Sequence, residues 1–206
     1  YIGEVQRPTS VIRKLFDYIS DAQLKWADMG DVYDKIIIGD KEYDFVKGTQ
    51  NFKDQLTAYF PNEKEAIDSY VALVFKAIKT SQKFYINKAL PSIINFFIGK
   101  KMRAPFYEFS DKTTYEVLKS ITDNEELIKV LTGQYGDYGL APKKSSFVMH
   151  AAVARHYFEG GSFPVGGSSQ IAKTIDTVIE KAGGTILISA DVEEIIISNH
   201  TATGVK

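Results

Sequence analysis

The spacing of apolar residues along the chain changes period several times, and each change marks an element. Tyr1 to Pro8 is irregular, and Ser10 to Asp28 reads as a helix with Val11, Leu15, Ile19 and Leu24 turned inward. From Asp34 to Val46 the period shortens. Ile36, Ile37 and Ile38 run into Gly39-Asp40, and Tyr43 and Phe45 then alternate with Glu42 and Asp44. This is a hairpin pattern, with Gly39 supplying the positive φ of a tight turn. A helix over Gln50 to Tyr59 stops at Pro61. Asn62 and Glu65 then form a capping-box-like start for a long helix with a buried stripe of Ile67, Val71, Val74 and Ile78. Pro91 breaks the chain, and a short apolar helix follows over Ser92 to Met102. Further helices are expected at Thr113 to Ile121, Asn124 to Leu131 and Ser145 to Phe158, with a glycine-rich connector over Gly133 to Pro142. A second glycine-rich loop, Gly160 to Ser168, leads into a helix over Ser169 to Ala182. That helix has Ile171, Ile175, Val178 and Ala182 inward, Ser168 or Ser169 as its cap, and Gly183-Gly184 as its stop. The remainder reads as strands: Thr185 to Ser189, Val192 to Ser198, a turn at Asn199-His200, and Ala202 to Val205.

The expected fold class is therefore α+β. A mostly helical body with a small antiparallel or mixed sheet occupies about residues 8–158, and a loop–helix–strand–strand unit follows over 159–206. The isoleucines of the last strands, Ile186, Ile188, Ile195 and Ile197, need cover. A hairpin packed on the helical body would supply it, as would a homodimer joined through the exposed strand edge.

Composition removes several function classes. With 25 basic against 26 acidic residues in 206, the chain has no global positive field, and nucleic acid is set aside as a partner. The absence of cysteine excludes disulfides, iron–sulfur clusters and thiolate zinc sites, and is compatible with a cytoplasmic protein. Aromatic residues, 13% of the chain, suit a large apolar cavity but suit an ordinary packed core better. The first residue is Tyr1 and no basic-then-apolar leader follows, so the chain reads as an internal fragment.

Side-chain chemistry is sparse. Gly161 and Gly166 have the spacing of the outer glycines of a phosphate-binding loop, but Gly167 stands where that loop needs lysine. The glycine loop before a helix can place N–H groups against an anion, or can simply be a tight entry turn. His150 and His156 lie about 240° apart on one helix and cannot share a metal. No metal site is assigned. No G-x-S-x-G elbow is present, and the carboxylate pairs Asp17 with Asp21 and Glu193 with Glu194 look like solvated faces. Phe96, Phe97 and Ile98, followed by Lys100, Lys101 and Arg103, read either as a core helix with a basic last turn or as a peripheral membrane contact.

The stretch Phe163 to Val205 carries F-P-x-G-G-x-x-x-I (Phe163 to Ile171), A-G-G-x-I (Ala182 to Ile186), A-x-V-x-x-I (Ala190 to Ile195) and Gly204-Val205. This pattern resembles the phytoene desaturase, carotenoid isomerase and retinol saturase group of FAD-dependent oxidoreductases. Phe16-Asp17-Tyr18, Gln23-Leu24-Lys25-Trp26, the Asp34-to-Asp40 run and Gly136-Asp137-Tyr138-Gly139 are similar to the retinol saturase branch in particular. The resemblance implies that the segment from the glycine loop onward returns from a substrate domain to an FAD domain. Val192 would then lie against the adenine, and Gly166 and Gly167 would let the chain approach the flavin–substrate junction. Phe163, Pro164, Phe96, Phe106, Tyr107 and Phe109 would line the site of an apolar small-molecule substrate. The G-x-G-x-x-G fingerprint of such enzymes is not in the chain. The fragment is therefore expected to lack bound FAD and activity of its own, while the parent would use FAD, with NAD(P)H as a candidate electron donor. No catalytic residue is assigned. A non-catalytic apolar-ligand or partner-binding domain, and another flavin branch such as an amine oxidase, are the competing readings. A strand with G-x-G-x-x-G upstream of Tyr1 would favour the enzyme.

Overall fold

The computed structural model describes residues 1–206. In chain order the elements are β1 (Ile2–Gly3), α1 (Val11–Ile19), β2 (Trp26–Asp28), β3 (Val32–Ile38), β4 (Lys41–Val46), α2 (Thr49–Tyr59), α3 (Lys64–Lys88), α4 (Ser92–Ser110), α5 (Thr114–Lys119), α6 (Glu125–Leu131), α7 (Phe147–Tyr157), β5 (Gly161–Pro164), α8 (Ser169–Lys181), β6 (Ile195–Ser198) and β7 (Thr201–Val205). Short 3₁₀ turns cover Pro61–Glu63 and Gly133–Asp137. The class is α+β, with three small antiparallel sheets: β1-β5-β2, the β3-β4 hairpin and the β6-β7 hairpin.

One core of 25 buried residues organises the body. The α3 stripe enters it as predicted: Ile67, Val71 and Val74 are buried and Ile78 packs on its margin. Tyr43 and Phe45 of β4, Phe52 and Leu56 of α2, Leu118 of α5, Leu127 of α6 and Phe147 and Ala151 of α7 close over that stripe. The β3-β4 hairpin turns at Gly39, φ 61, with Ile38 opposite Lys41. It is pinned to α6 by Glu126, whose carboxylate accepts from Lys41 Nζ and from the Tyr43 hydroxyl. Those two donors hold the Glu126 carboxyl below its ordinary range.

Helix α5 has only six residues, and its start carries a closed capping box. Thr113 Oγ1 accepts from Glu116 N, and Glu116 Oε2 accepts from Thr113 N at 2.8 Å. Thr113→Ala is expected to cost about 1 kcal/mol, read as a lower urea midpoint, while Thr113→Ser stays within a few tenths of the parent. An unchanged midpoint for the alanine variant would mean that the box contributes nothing.

Several sequence expectations need correction. Helix α1 ends at Ile19 and does not reach Asp28. Asp21 and Ala22 take left-handed φ of 52° and 55°, which ends the helix, and Trp26–Asp28 becomes a strand. Val11 and Leu15 are exposed and only Leu24 is buried, because Ile12, Phe16 and Ile19 form the partly covered face. Asn62 does not cap α3, since Pro61–Glu63 forms a 3₁₀ turn and no side chain accepts at that helix start. Helix α4 does not stop at Met102. It continues through Pro105 to Ser110, kept helical by Phe106 stacked on Phe84 at 4.1 Å and by buried Phe109. Thr185 to Ser189 is not a strand, and Ser189 sits at φ 55.

The C-terminal unit departs further from expectation. Helix α8 forms where predicted and ends in the double-glycine stop: Gly183, φ 79, donates to Glu180 O and Gly184 donates to Ile179 O. Neither Ser168 nor Ser169 caps its start, because Ser168 is already helical. None of its residues is fully buried: Ile171, Ile175 and Val178 are half-buried and Ala182 is exposed, so the stripe is only partly covered. The β6-β7 hairpin turns at Asn199 and His200, both left-handed, at φ 48 and 61. It does not pack on the helical body: every residue from 181 to 206 is exposed.

Candidate functional site

The glycine-rich return segment is built into the body before it leaves it. The expected loop over Gly160 to Ser168 is only partly a loop, because Gly161–Pro164 forms β5, the central strand between β1 and β2. Ser162 lies opposite Ile2 and Asp28, and Phe163 opposite Ala27. The strands fit because glycine stands at the tight points. A Cβ on Gly3 would meet the His156 carbonyl oxygen at 1.9 Å, and one on Gly161 would meet the Tyr1 ring at 2.8 Å. Pro164 is buried and Phe163 exposed, so only Phe163 faces outward at the strand end.

Beyond β5 the chain turns through Gly166 at φ 90 and Gly167 at φ 97, a conformation L side chains avoid. Gly167 N donates to Pro164 O at 3.0 Å and Val165 N to Lys25 O at 2.9 Å. The N–H groups of Gly166, Ser168 and Ser169 donate to no backbone or side-chain acceptor, so the entry to α8 presents unpaired donors and the positive end of its dipole. Val192 lies in exposed coil before β6, and its backbone N–H and C=O are also unpaired.

Next to β5 lies a polar groove that the sequence did not announce. Glu4, held at φ 61, pairs with Arg155 at 3.0 Å and Arg7 at 3.4 Å. His156 accepts from Gly3 N through Nε2 at 2.8 Å, which places its ring proton on Nδ1 when neutral. Burial pushes its pKa down, with Glu4 opposing. These groups line a groove of about 410 Å³ together with Thr9, Ile78 and Gln82. A smaller hollow of about 240 Å³ shares Glu4 and Arg7 and reaches Gly160 to Ser162 of β5. Such a lining can hold the polar end of a ligand and does not seat a long apolar chain. Its parts come from the segment after β1, from α3 and from α7, up to about 150 residues apart, and no local pattern joins them.

The aromatic residues expected to line one apolar pocket lie in different places. Phe109 is inside the core beside Phe147. Phe106 and Tyr107 form an aromatic cluster with Phe84. Phe96 stands ten residues up α4, exposed and in edge contact with Phe97. Apolar lining occurs elsewhere, in a groove of about 500 Å³ between Ile36 to Ile38 and Tyr135, Ala141 and Pro142. His150 is buried between Tyr70 and Tyr138, apart from His156, and no group of His, Cys, Asp or Glu could hold a metal ion.

Comparison with known proteins decides the kinship. No family profile matches the chain. Over 97% of its length it is 32% identical to the all-trans-retinol 13,14-reductase of Danio rerio, of which it covers 34%. The chain is homologous to the retinol reductases. With the same coverage it is 28% identical to a Danio rerio protein named inactive all-trans-retinol 13,14-reductase. It is also 24% identical, over 75% of its length, to 26% of the chloroplastic prolycopene isomerase of Daucus carota. The retinol reductase and carotenoid isomerase group named from the Phe163-to-Val205 pattern is thus the group these relatives come from. The chain spans about a third of the length of the curated relatives it matches.

Proposed function

We propose that this chain is the substrate-side part of a flavin-dependent oxidoreductase acting on a retinoid or similar polyene. The observation that carries the reading is the homology to the retinol reductases over 97% of the chain. The return segment supports it through its backbone: Gly166 and Gly167 hold positive φ, and the N–H groups at the start of α8 have no partner. The open backbone at Val192 likewise suits contact with an adenine edge. FAD would supply the hydride chemistry, and this chain would position the substrate and shield it from water. Phe163, at the exposed end of β5, is the contact proposed for the apolar ligand, and buried Pro164 beside it would hold the strand end in place. The half-covered apolar face of α8 and the exposed β6-β7 hairpin are proposed to complete the sheet of the FAD domain with residues outside this chain.

The test uses the full natural polypeptide that carries this chain. It is expected to purify yellow with bound FAD and, given dithionite or NADPH, to convert all-trans-retinol to a product two hydrogens heavier by mass spectrometry. Gly167→Val forces a β-branched side chain to φ 97 and is expected to lower flavin occupancy. A colourless full-length protein would refute the flavin reading. A yellow protein inert toward retinol but active on a carotenoid would move the substrate within the group. The 206-residue chain alone is expected to stay colourless with added FAD. A complex tighter than about micromolar would overturn its assignment as a part without its own flavin site.

A further inference from the structure

The tip of the α3–α4 helical hairpin combines two features found nowhere else on the molecule. From residue 69 to residue 107 there is no acidic residue and there are seven basic ones: Lys76, Lys79, Lys83, Lys88, Lys100, Lys101 and Arg103. The rest of the chain carries 18 basic against 26 acidic residues, so a near-neutral protein is sharply divided in charge. Of the six lysines only Lys76 has an acidic partner, Glu108 at 4.0 Å. At the same tip the apolar side chains point outward. Phe96 is 84% exposed, Phe97 78% and Ile93 76%, and Tyr85, Ile86, Ile94 and Ile98 are also exposed.

The hairpin that presents them is locked by buried polar groups. Asn87 is fully buried at the crossing of the two helices. Its Oδ1 accepts from Arg103 Nη1 at 3.0 Å, and its carbonyl accepts from Asn95 Nδ2 at 2.9 Å. Gly99 is buried beside these groups, and a Cβ there would meet Asn95 Oδ1 at 2.5 Å and Arg103 Nη1 at 3.2 Å. The tip is therefore a fixed wedge, and its exposed apolar residues are not free to fold back.

We propose that this wedge docks on an anionic lipid surface. Along α4 the apolar turn over Ile93 to Ile98 rises about 8 Å, which matches the about 5–10 Å depth to which interfacial helices bury their apolar face. Lys100 and Lys101 follow within about one turn, at headgroup level, and Lys83 and Lys88 flank the wedge from α3. The charge selects this occupant over others. A second copy would bring one cationic tip against another, and buried centres of protein interfaces are depleted in lysine. No helix of the chain is long and apolar enough to cross a membrane, and the contact proposed is a shallow, peripheral one. The surface is separate from the glycine turn and the polar groove, and the proposal does not depend on the flavin reading.

Vesicle sedimentation of the full natural polypeptide tests it, using phosphatidylcholine vesicles with and without phosphatidylserine. Binding is expected with phosphatidylserine, falling steeply with added salt and weak on phosphatidylcholine alone. Lys100→Glu with Lys101→Glu is expected to weaken binding at least tenfold, at about fivefold per lost lysine. Phe96→Ser with Phe97→Ser is expected to abolish sedimentation. All four residues are exposed, so far-UV circular dichroism and the melting temperature should hold in both variants. Wild-type protein that stays in the supernatant overturns the proposal, because the tip is then covered by the rest of the polypeptide or by a second copy. Binding that survives both pairs of substitutions overturns it equally.

Discussion

Phe147→Ala is expected to remove about 3–5 kcal/mol of stability, the range for deleting a fully buried ring. Phe147 has no exposed surface and opens α7 at the centre of the body. Its ring lies 6.0 Å from that of Phe109 on α4 and 5.8 Å from that of His150 one turn along, and its N–H donates to Lys112 O at 3.0 Å. The ring therefore joins α4 to α7, and the backbone bond ties the start of α7 to the segment before α5. Alanine would keep the helix and the backbone bond while leaving a cavity that those elements cannot close without moving. Chemical denaturation reads the loss directly, and Phe147→Leu, which refills part of the volume, should recover a large share. A change below about 1 kcal/mol would mean that the core collapses around the gap. Phe97→Ser is the contrast. It is just as aromatic in sequence but projects into solvent, and it is expected to alter stability by about 0.5 kcal/mol or less.

That contrast marks how far the sequence could be read. The α3 stripe, the Gly39 turn, the Gly183-Gly184 stop and the Asn199-His200 turn are short-range matters, set by residues a few positions apart, and each was legible. The β1-β5-β2 sheet was not, because Ser162 pairs with Ile2 and Asp28 across more than 130 positions and its strands are only two to four residues long. The expected end of α4 at Met102 was too early: the helix runs on through Pro105, where packing of Phe106 on Phe84 outweighs the hydrogen bond that proline cannot make. Periodicity says that a face is apolar and not what covers it. The stripe of α3 is buried, whereas the equally regular stripe of α8 is only half covered. The same limit governs the site. Glycine positions with positive φ could be read from the F-P-x-G-G run, since their chemistry is in the backbone. The Glu4, Arg155 and His156 groove exists only because β1 lies across the end of α7. Family resemblance carried the reaction class, and the side chains alone would not have done so.

His150 should make the folded chain lose stability as pH falls. It is fully buried on α7, with Tyr70 OH 2.9 Å from Nε2 and Tyr138 OH 3.2 Å from Nδ1. A neutral imidazole has one N–H and one bare nitrogen, so one hydroxyl donates to the ring and the other accepts from it. No carboxylate touches it, and burial alone pushes its pKa down from 6.5 to about 4. The sign follows from the unfolded chain, which takes up a proton near pH 6.5 while the folded chain does not. Above pH 6.5 the neutral ring costs nothing. As pH falls from 6.5 toward 4, stability drops by up to about 1.4 kcal/mol per pH unit, for a total on the order of 3 kcal/mol. Below pH 4 the folded state binds the proton as well and this contribution levels off. His156, whose pKa burial also lowers, adds a smaller change of the same sign. Urea unfolding from pH 8 to pH 4 measures the slope. His150→Phe is expected to be less stable at pH 8, because it strands the Tyr70 hydroxyl in the core. Its pH dependence over this window should nevertheless be shallower than that of the parent. A variant that keeps the parent's full slope would show that carboxylates elsewhere, and not this ring, set the acid limit of the fold.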